Sequence, residues 1–67
     1  MELFKLRYFV AAYECRSYTK AADRLYTTRQ ALRHGIKSME SELGVELFLT
    51  CGRQIEPTPV ARRLYEA

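Results

Sequence analysis

The stretch "TTRQALRHGIKSMESELG", residues 27–44, decides how the rest of the chain reads. Leu32, Ile36, Met39 and Leu43 recur at i, i+4, i+7 and i+11. At about 100° per residue they fall within roughly 60° of one another, the apolar stripe of an amphipathic helix. Thr28 (or Thr27) is placed to cap its N-terminus, and Gly44 suits the left-handed position that ends a helix. A helix over 29–43 follows. Its charges run the wrong way for a free helix. Arg29, Arg33 and Lys37 repeat every four residues near the start, where the macrodipole favours anions, and Glu40 comes later.

These cations form a second stripe about 90° around from the apolar one, with Gln30 and His34 further along the same exposed side. A polyanion beside the helix would explain the arrangement. In a major groove, cations at the leading end gain from flanking phosphates what they lose against the dipole, on the order of 0.3–1 kcal/mol each. Arginine can also fork onto guanine and glutamine onto adenine. Glu40 and Glu42 are expected where the helix has left the groove, and there they penalise wrong docking.

Working backwards from residue 27, Leu6, Phe9, Val10 and Tyr13 fall at i, i+3, i+4 and i+7, giving a first helix over about 2–14 with that stripe inward. "CRS" breaks it, and Ser17 caps a short second helix over about 18–25. There Ala21, Ala22 and Leu25 face in, small enough for another helix to approach closely, while Lys20 and Arg24 face out. The gap of a few residues before the next helix has the length of a helix-turn-helix connection.

Forwards, "VELFLTCGRQIEP" reads as a hairpin with strands at about 46–49 and 54–57, turning at Gly52, and it must pack on the helices to be stable. Thr58-Pro59 opens a further helix as N-cap and first turn, with Val60 and Leu64 on one face. That helix reads as the start of a longer element. The order helix, helix, helix, hairpin, helix makes a mainly α winged helix-turn-helix. Residues 1–57 form the domain, and 58–67 begin a truncated linker helix.

With 67 residues there is room for one small domain, and 48% hydrophobic content allows it a core. The net charge of +3 is modest, but it is segregated. From Arg16 to Lys37 there are six cations (Arg16, Lys20, Arg24, Arg29, Arg33, Lys37) against Asp23, whereas Ser38–Thr50 holds Glu40, Glu42 and Glu46 and no cation. One face built for a polyanion is implied. Cys15 and Cys51, without a C-x-x-C, read as free thiols in a reducing, cytoplasmic setting, with Cys15 packed between the first two helices. No run is long enough for a membrane span or a signal core. His34 has no second histidine beside it, so no metal site is read. No nucleophile–base pair, paired carboxylates or phosphate-cradling glycine loop points to an enzyme, and no cofactor is implied. Tyr8, Tyr13, Tyr18 and Tyr26 read as core or interface edges, and Lys5 and Arg7 as ordinary surface. At the hairpin tip, Arg53 is a phosphate or minor-groove contact. Thr19 and Lys20 start the second helix as candidate backbone contacts, and Thr28 adds phosphate contact to its cap.

The stretches "LRYFVAAYE", "SYTKAADRL", "ALRHGIKSMESELGVELF" and "GRQIEPT" together resemble the N-terminal DNA-binding domain of LysR-type transcriptional regulators. The resemblance covers nearly the whole chain without a gap. Where the family commonly runs "VSQPALSRQIRRLE", this chain has "TTRQALRHGIKSME". Arg29 stands for the usual Gln, Gln30 for Pro, Arg33 for Ser and Gly35 for a common Gln; Thr50 replaces a frequent Arg, while Arg53 matches. The resemblance implies sequence-specific binding of double-stranded DNA for transcriptional regulation, with Thr28, Arg29, Gln30, Arg33, His34, Lys37, Arg53, Thr19 and Lys20 at the interface. It also implies homodimers through the linker helix, weakened here by its truncation, and a small-molecule effector bound by a C-terminal domain absent from this sequence. The chain then reads as a fragment. The rival reading is a winged-helix protein-interaction module whose cations dock an acidic partner.

Overall fold

The computed structural model describes residues 2–67. Three helices, α1 (Leu3–Cys15), α2 (Tyr18–Arg24) and α3 (Arg29–Leu43), are followed by strands β1 (Phe48–Cys51) and β2 (Gln54–Pro57) and by α4 (Pro59–Glu66). The caps read from the sequence are made. Ser17 Oγ accepts from the Lys20 N–H, Thr28 Oγ1 from Ala31 and Thr58 Oγ1 from Ala61. Gly44 takes the left-handed conformation, φ 70°, at the end of α3. Each side-chain cap is worth about 1 kcal/mol.

Phe9, Ala11 and Ala12 of α1, Ala21 and Ala22 of α2, and Leu32, Ile36 and Met39 of α3 meet in one core. Leu47, Phe48 and Ile55 bring the hairpin into it, and Ala61 brings α4. The Phe48 ring lies 5.7 Å from Phe9 and 6.3 Å, edge-on, from Tyr18. The second strand also hooks onto the α1–α2 turn, where the Ile55 N–H donates to the Arg16 carbonyl at 3.2 Å. The wing is therefore held from both sides rather than left as a free hairpin.

In α1 the buried stripe is rotated by one residue from the expected one. Lys5, Phe9 and Ala12 are buried, while Leu6 and Val10 are 37% and 40% exposed. Lys5 is no ordinary surface residue. Its ammonium donates to Ser38 Oγ at 2.9 Å and to Glu42 Oε1 at 2.7 Å, so burying its stem leaves no orphaned charge. Leu43, expected in the core, lies in the last turn of α3 and is 42% exposed.

The first strand starts two residues later than expected, at Phe48 rather than Glu46. Glu46 and Leu47 are already engaged elsewhere. Thr58 donates its hydroxyl to the Glu46 carbonyl and its N–H to the Leu47 carbonyl. The ladder then runs from Phe48↔Pro57 to Cys51↔Gln54 and closes through Gly52-Arg53, with Gly52 at φ 64°.

Gly35 is buried where α3 crosses α1. A Cβ there would lie 2.5 Å from Cδ2 of Tyr8, so the glycine permits the close approach. Tyr26, read as a core or interface edge, is instead almost wholly exposed, because it forms the α2–α3 turn.

Candidate nucleic-acid interface

Helix α3 presents its polar side chains as the sequence placed them. Arg29, Gln30, Arg33, His34 and Lys37 line one open concavity on its exposed side. No acid occupies its first turn and no base its last, so the reversed charge order is a property of the folded helix. Arg29 and Arg33 continue into a narrower cleft of about 170 Å³ between α3, the start of α2 and the wing. Tyr18, Thr19, Thr50, Gly52, Arg53 and Gln54 line its other sides. Arg53 and Thr19 extend into a third depression that includes Lys20. Eight of the nine candidate residues thus lie along one continuous surface. The ninth, Thr28, sits at the leading end of α3 with its hydroxyl accepting the Ala31 N–H.

The cations of this surface are poorly neutralised. Among the described residues, Lys20, Arg29, Arg33 and Arg53 make no ion pair, and Lys37 alone reaches a carboxylate, Glu40 Oε1 at 3.3 Å. Elsewhere three cations are matched by acids. Lys5 pairs with Glu42 and Glu2, Arg16 with Glu56, and Arg24 with Glu14. Arg7, Arg62 and Arg63 also lack ion pairs, but none of them lines these three depressions. Acids are thus spent on other faces, which leaves this one with a net positive field.

Beneath the cleft, Tyr18 is buried and its hydroxyl is pushed above the ordinary tyrosine value. Burial is the main cause, Glu40 adds to it, and the cations Arg33 and Arg29 oppose it. Glu42 is held below the usual carboxylate range, chiefly by its hydrogen bond from Lys5, and Lys5 is raised by the same contact.

Glu40 is the residue that sequence reasoning misplaced. Its carboxylate is not a trailing charge beyond a groove. It turns inward, 8% exposed, and Oε2 accepts the N–H of Leu47 at 2.6 Å and of Phe48 at 3.2 Å. Glu42 is likewise neutralised by Lys5 rather than free to repel a ligand. A signal for Glu40 was available. It stands seven residues after Arg33, nearly two full turns, and so returns to the cationic stripe, about 20° from Arg33 on the side nearer the apolar stripe. From there a carboxylate can reach the backbone of the segment entering the wing. Glu40 therefore fixes the wing relative to α3, and with it the spacing between Arg53 and the helix cations.

Among the described residues, no group of three His, Cys, Asp or Glu side chains comes together as a metal site, and no helix is long and apolar enough to cross a membrane.

The sequence profile of bacterial regulatory helix-turn-helix proteins of the lysR family matches residues 3–62. The transcriptional regulator BenM of Acinetobacter baylyi is 42% identical over 66 residues, 98% of this chain and 22% of that protein. An uncharacterised regulator of Bacillus subtilis, YwbI, is 41% identical over 56 residues, 84% of this chain and 19% of its own length. The chain thus spans about a fifth of these relatives. Among solved structures, the CbnR DBD–DNA complex superposes with a TM-score of 0.95 at 32% identity, covering 98% of this chain and 76% of that one. The complex of the BenM DBD with benA site 1 DNA gives 0.92 at 42% identity, covering 98% and 74%.

Proposed function

Because the chain belongs to the LysR family of bacterial helix-turn-helix regulators, we propose that it binds double-stranded DNA sequence-specifically to regulate transcription. The observation that carries this reading is the continuous surface of cations, all but Lys37 unpaired among the described residues, running from α3 past the start of α2 to the wing tip. Two of the solved relatives that superpose on the chain are themselves DNA complexes.

In this reading α3 lies in the major groove. Arg29, Gln30, Arg33 and His34 meet base edges, where an arginine fork or a glutamine amide discriminates bases. Thr28, Thr19, Lys20 and Lys37 hold phosphates and set the register without reading sequence. Arg53, at the wing tip, reaches the backbone or minor groove beside it. Residues 1–57 form the DNA-binding unit, and 58–67 open a linker helix through which two copies associate. The exposed Val60 and Tyr65 of α4 give that contact an apolar surface. The surface serves binding rather than catalysis, and the protein acts where the chromosome lies, in the cytoplasm.

Selection of bound duplexes from a random pool tests the specificity. The expected result is an enriched site, and Arg33→Ala then costs about 1–3 kcal/mol on it while relaxing preference at one position. A pool that stays random refutes sequence-specific binding. Indifference to duplex DNA together with tight binding of an acidic protein would favour the interaction-module reading.

A further inference from the structure

The turn between α2 and α3 carries an unusual residue. Tyr26 sits at φ 56°, in the left-handed region that side chains with a Cβ enter only at a cost. The surrounding hydrogen bonds fix it there. The Tyr26 N–H donates to the Asp23 carbonyl at 3.3 Å and the Thr27 N–H to the Ala22 carbonyl at 3.0 Å. This is the reciprocal pair that closes a helix through a left-handed residue, a position usually given to glycine. The chain uses glycine at two of its other left-handed positions, Gly44 after α3 and Gly52 in the wing; the third, Arg16 at φ 54°, ends α1 and is tied down by its Nε–H bond to the Tyr13 carbonyl and its ion pair with Glu56.

Nothing within the fold compensates for the tyrosine. It is 97% exposed, and among the described residues its ring stacks on no aromatic side chain and its hydroxyl makes no hydrogen bond. Its location suggests what it is for. It stands two residues before the Thr28 cap and three before Arg29, at the leading end of the helix that carries the cationic face. A strained, outward-pointing residue beside such a face is explained by a partner that the free chain lacks.

We infer that Tyr26 is a further DNA contact, its hydroxyl donating to a backbone phosphate at the leading end of α3 while its ring covers the adjoining sugar. This rests on the DNA-binding reading above. Tyrosine hydroxyls are among the groups that position proteins on the phosphate backbone. The contact is sequence-independent, so it sets affinity and register rather than base choice.

The test uses two variants of the same chain, each measured for thermal unfolding and for binding a labelled mixed-sequence duplex at low salt. Tyr26→Gly removes the strain and the side chain together. Its midpoint temperature rises by several degrees, while its affinity for the duplex falls roughly tenfold. Tyr26→Phe keeps the strain and loses only the hydroxyl. Its midpoint is unchanged and its affinity falls several-fold, with the salt slope as in the parent because no cation has been removed. Stability and affinity moving in opposite directions in the glycine variant is a result that a purely structural tyrosine would not give. The inference is overturned if the parent binds and both variants bind equally well. It is also overturned if the phenylalanine variant alone is unaffected, or if the glycine variant is less stable. A parent that does not bind the duplex at all refutes the DNA-binding reading itself, a different outcome from loss of the Tyr26 contact alone.

Discussion

Replacing Gly35 by alanine sets two effects of known sign against each other. Alanine is the better helix former, worth about 1 kcal/mol over glycine in a helix interior. The new methyl, however, would lie 2.5 Å from Cδ2 and 2.8 Å from Cε2 of Tyr8. Ordinary carbon–carbon contact is about 3.5–4.0 Å, so the ring must retreat by about 1 Å. It has little freedom to do so. Phe4 stands edge-on against it, ring centroids 5.4 Å apart, and the Lys5 ammonium ties α1 to Ser38 and Glu42 on α3. Forcing a methyl into such a contact costs about 1–3 kcal/mol. Taking the middle of that range, Gly35→Ala loses about 1 kcal/mol net, a fall of about 4–8 °C in the unfolding midpoint for a domain of this size. The sign should reverse once the obstacle is gone. In a Tyr8→Ala background the same change gains about 1 kcal/mol, so the two sites are coupled by about 2 kcal/mol. Urea unfolding of the four proteins gives that coupling directly, with unchanged m-values showing that the unfolded state is not the cause. A Gly35→Ala protein more stable than the parent, or additive effects of the two substitutions, would refute the argument that close approach of α1 explains the glycine.

Two further predictions concern polar groups inside the fold. Glu40→Ala strands the buried N–H groups of Leu47 and Phe48 and costs about 2–5 kcal/mol, whereas Glu40→Gln retains an acceptor oxygen and costs less. Equal stability of the alanine variant and the parent in urea would show that the carboxylate does not anchor the wing. Acid should destabilise the domain through Glu14 and Glu42, both held below the ordinary carboxylate value of 4.5, Glu14 mainly by the Tyr65 hydroxyl and Glu42 by Lys5. Depressed carboxylates contribute stability that is present above that value and lost as pH falls through the folded one. Unfolding midpoints measured down the acid range should therefore drop less steeply in Glu42→Gln than in the parent, and identical profiles would contradict this.

Much of the fold was legible because its signals are local. The bounds of α3, the caps at Ser17, Thr28 and Thr58, and Gly44 depend on neighbours within a few residues, and all of them match. The cationic face was legible for a related reason, since most of its members have no partner within the fold to hide them. What the sequence obscured depends on distant contacts. Hydropathy favours Leu6 and Val10 over Lys5 as the buried side of α1. The choice is settled by Ser38 and Glu42, 33 and 37 residues away. Glu40 looks like a surface acid until the wing amides come to it, and β1 starts two residues late because Thr58 holds the Glu46 and Leu47 carbonyls. Tyr26 and Gly35 are likewise ordinary letters until the backbone angle at one and the Tyr8 ring above the other are known.

The central claim is that the unpaired cations of α3, α2 and the wing exist to meet phosphates. Titrating a labelled duplex with the chain over a range of salt concentrations tests it most directly. The account predicts that log affinity falls linearly with log salt, with a slope of about −0.9 for each phosphate neutralised, and that Arg53→Ala reduces that slope by about 0.9. Affinity that does not change with salt, or a slope that survives removal of Arg53, Arg29 and Arg33 together, would contradict it.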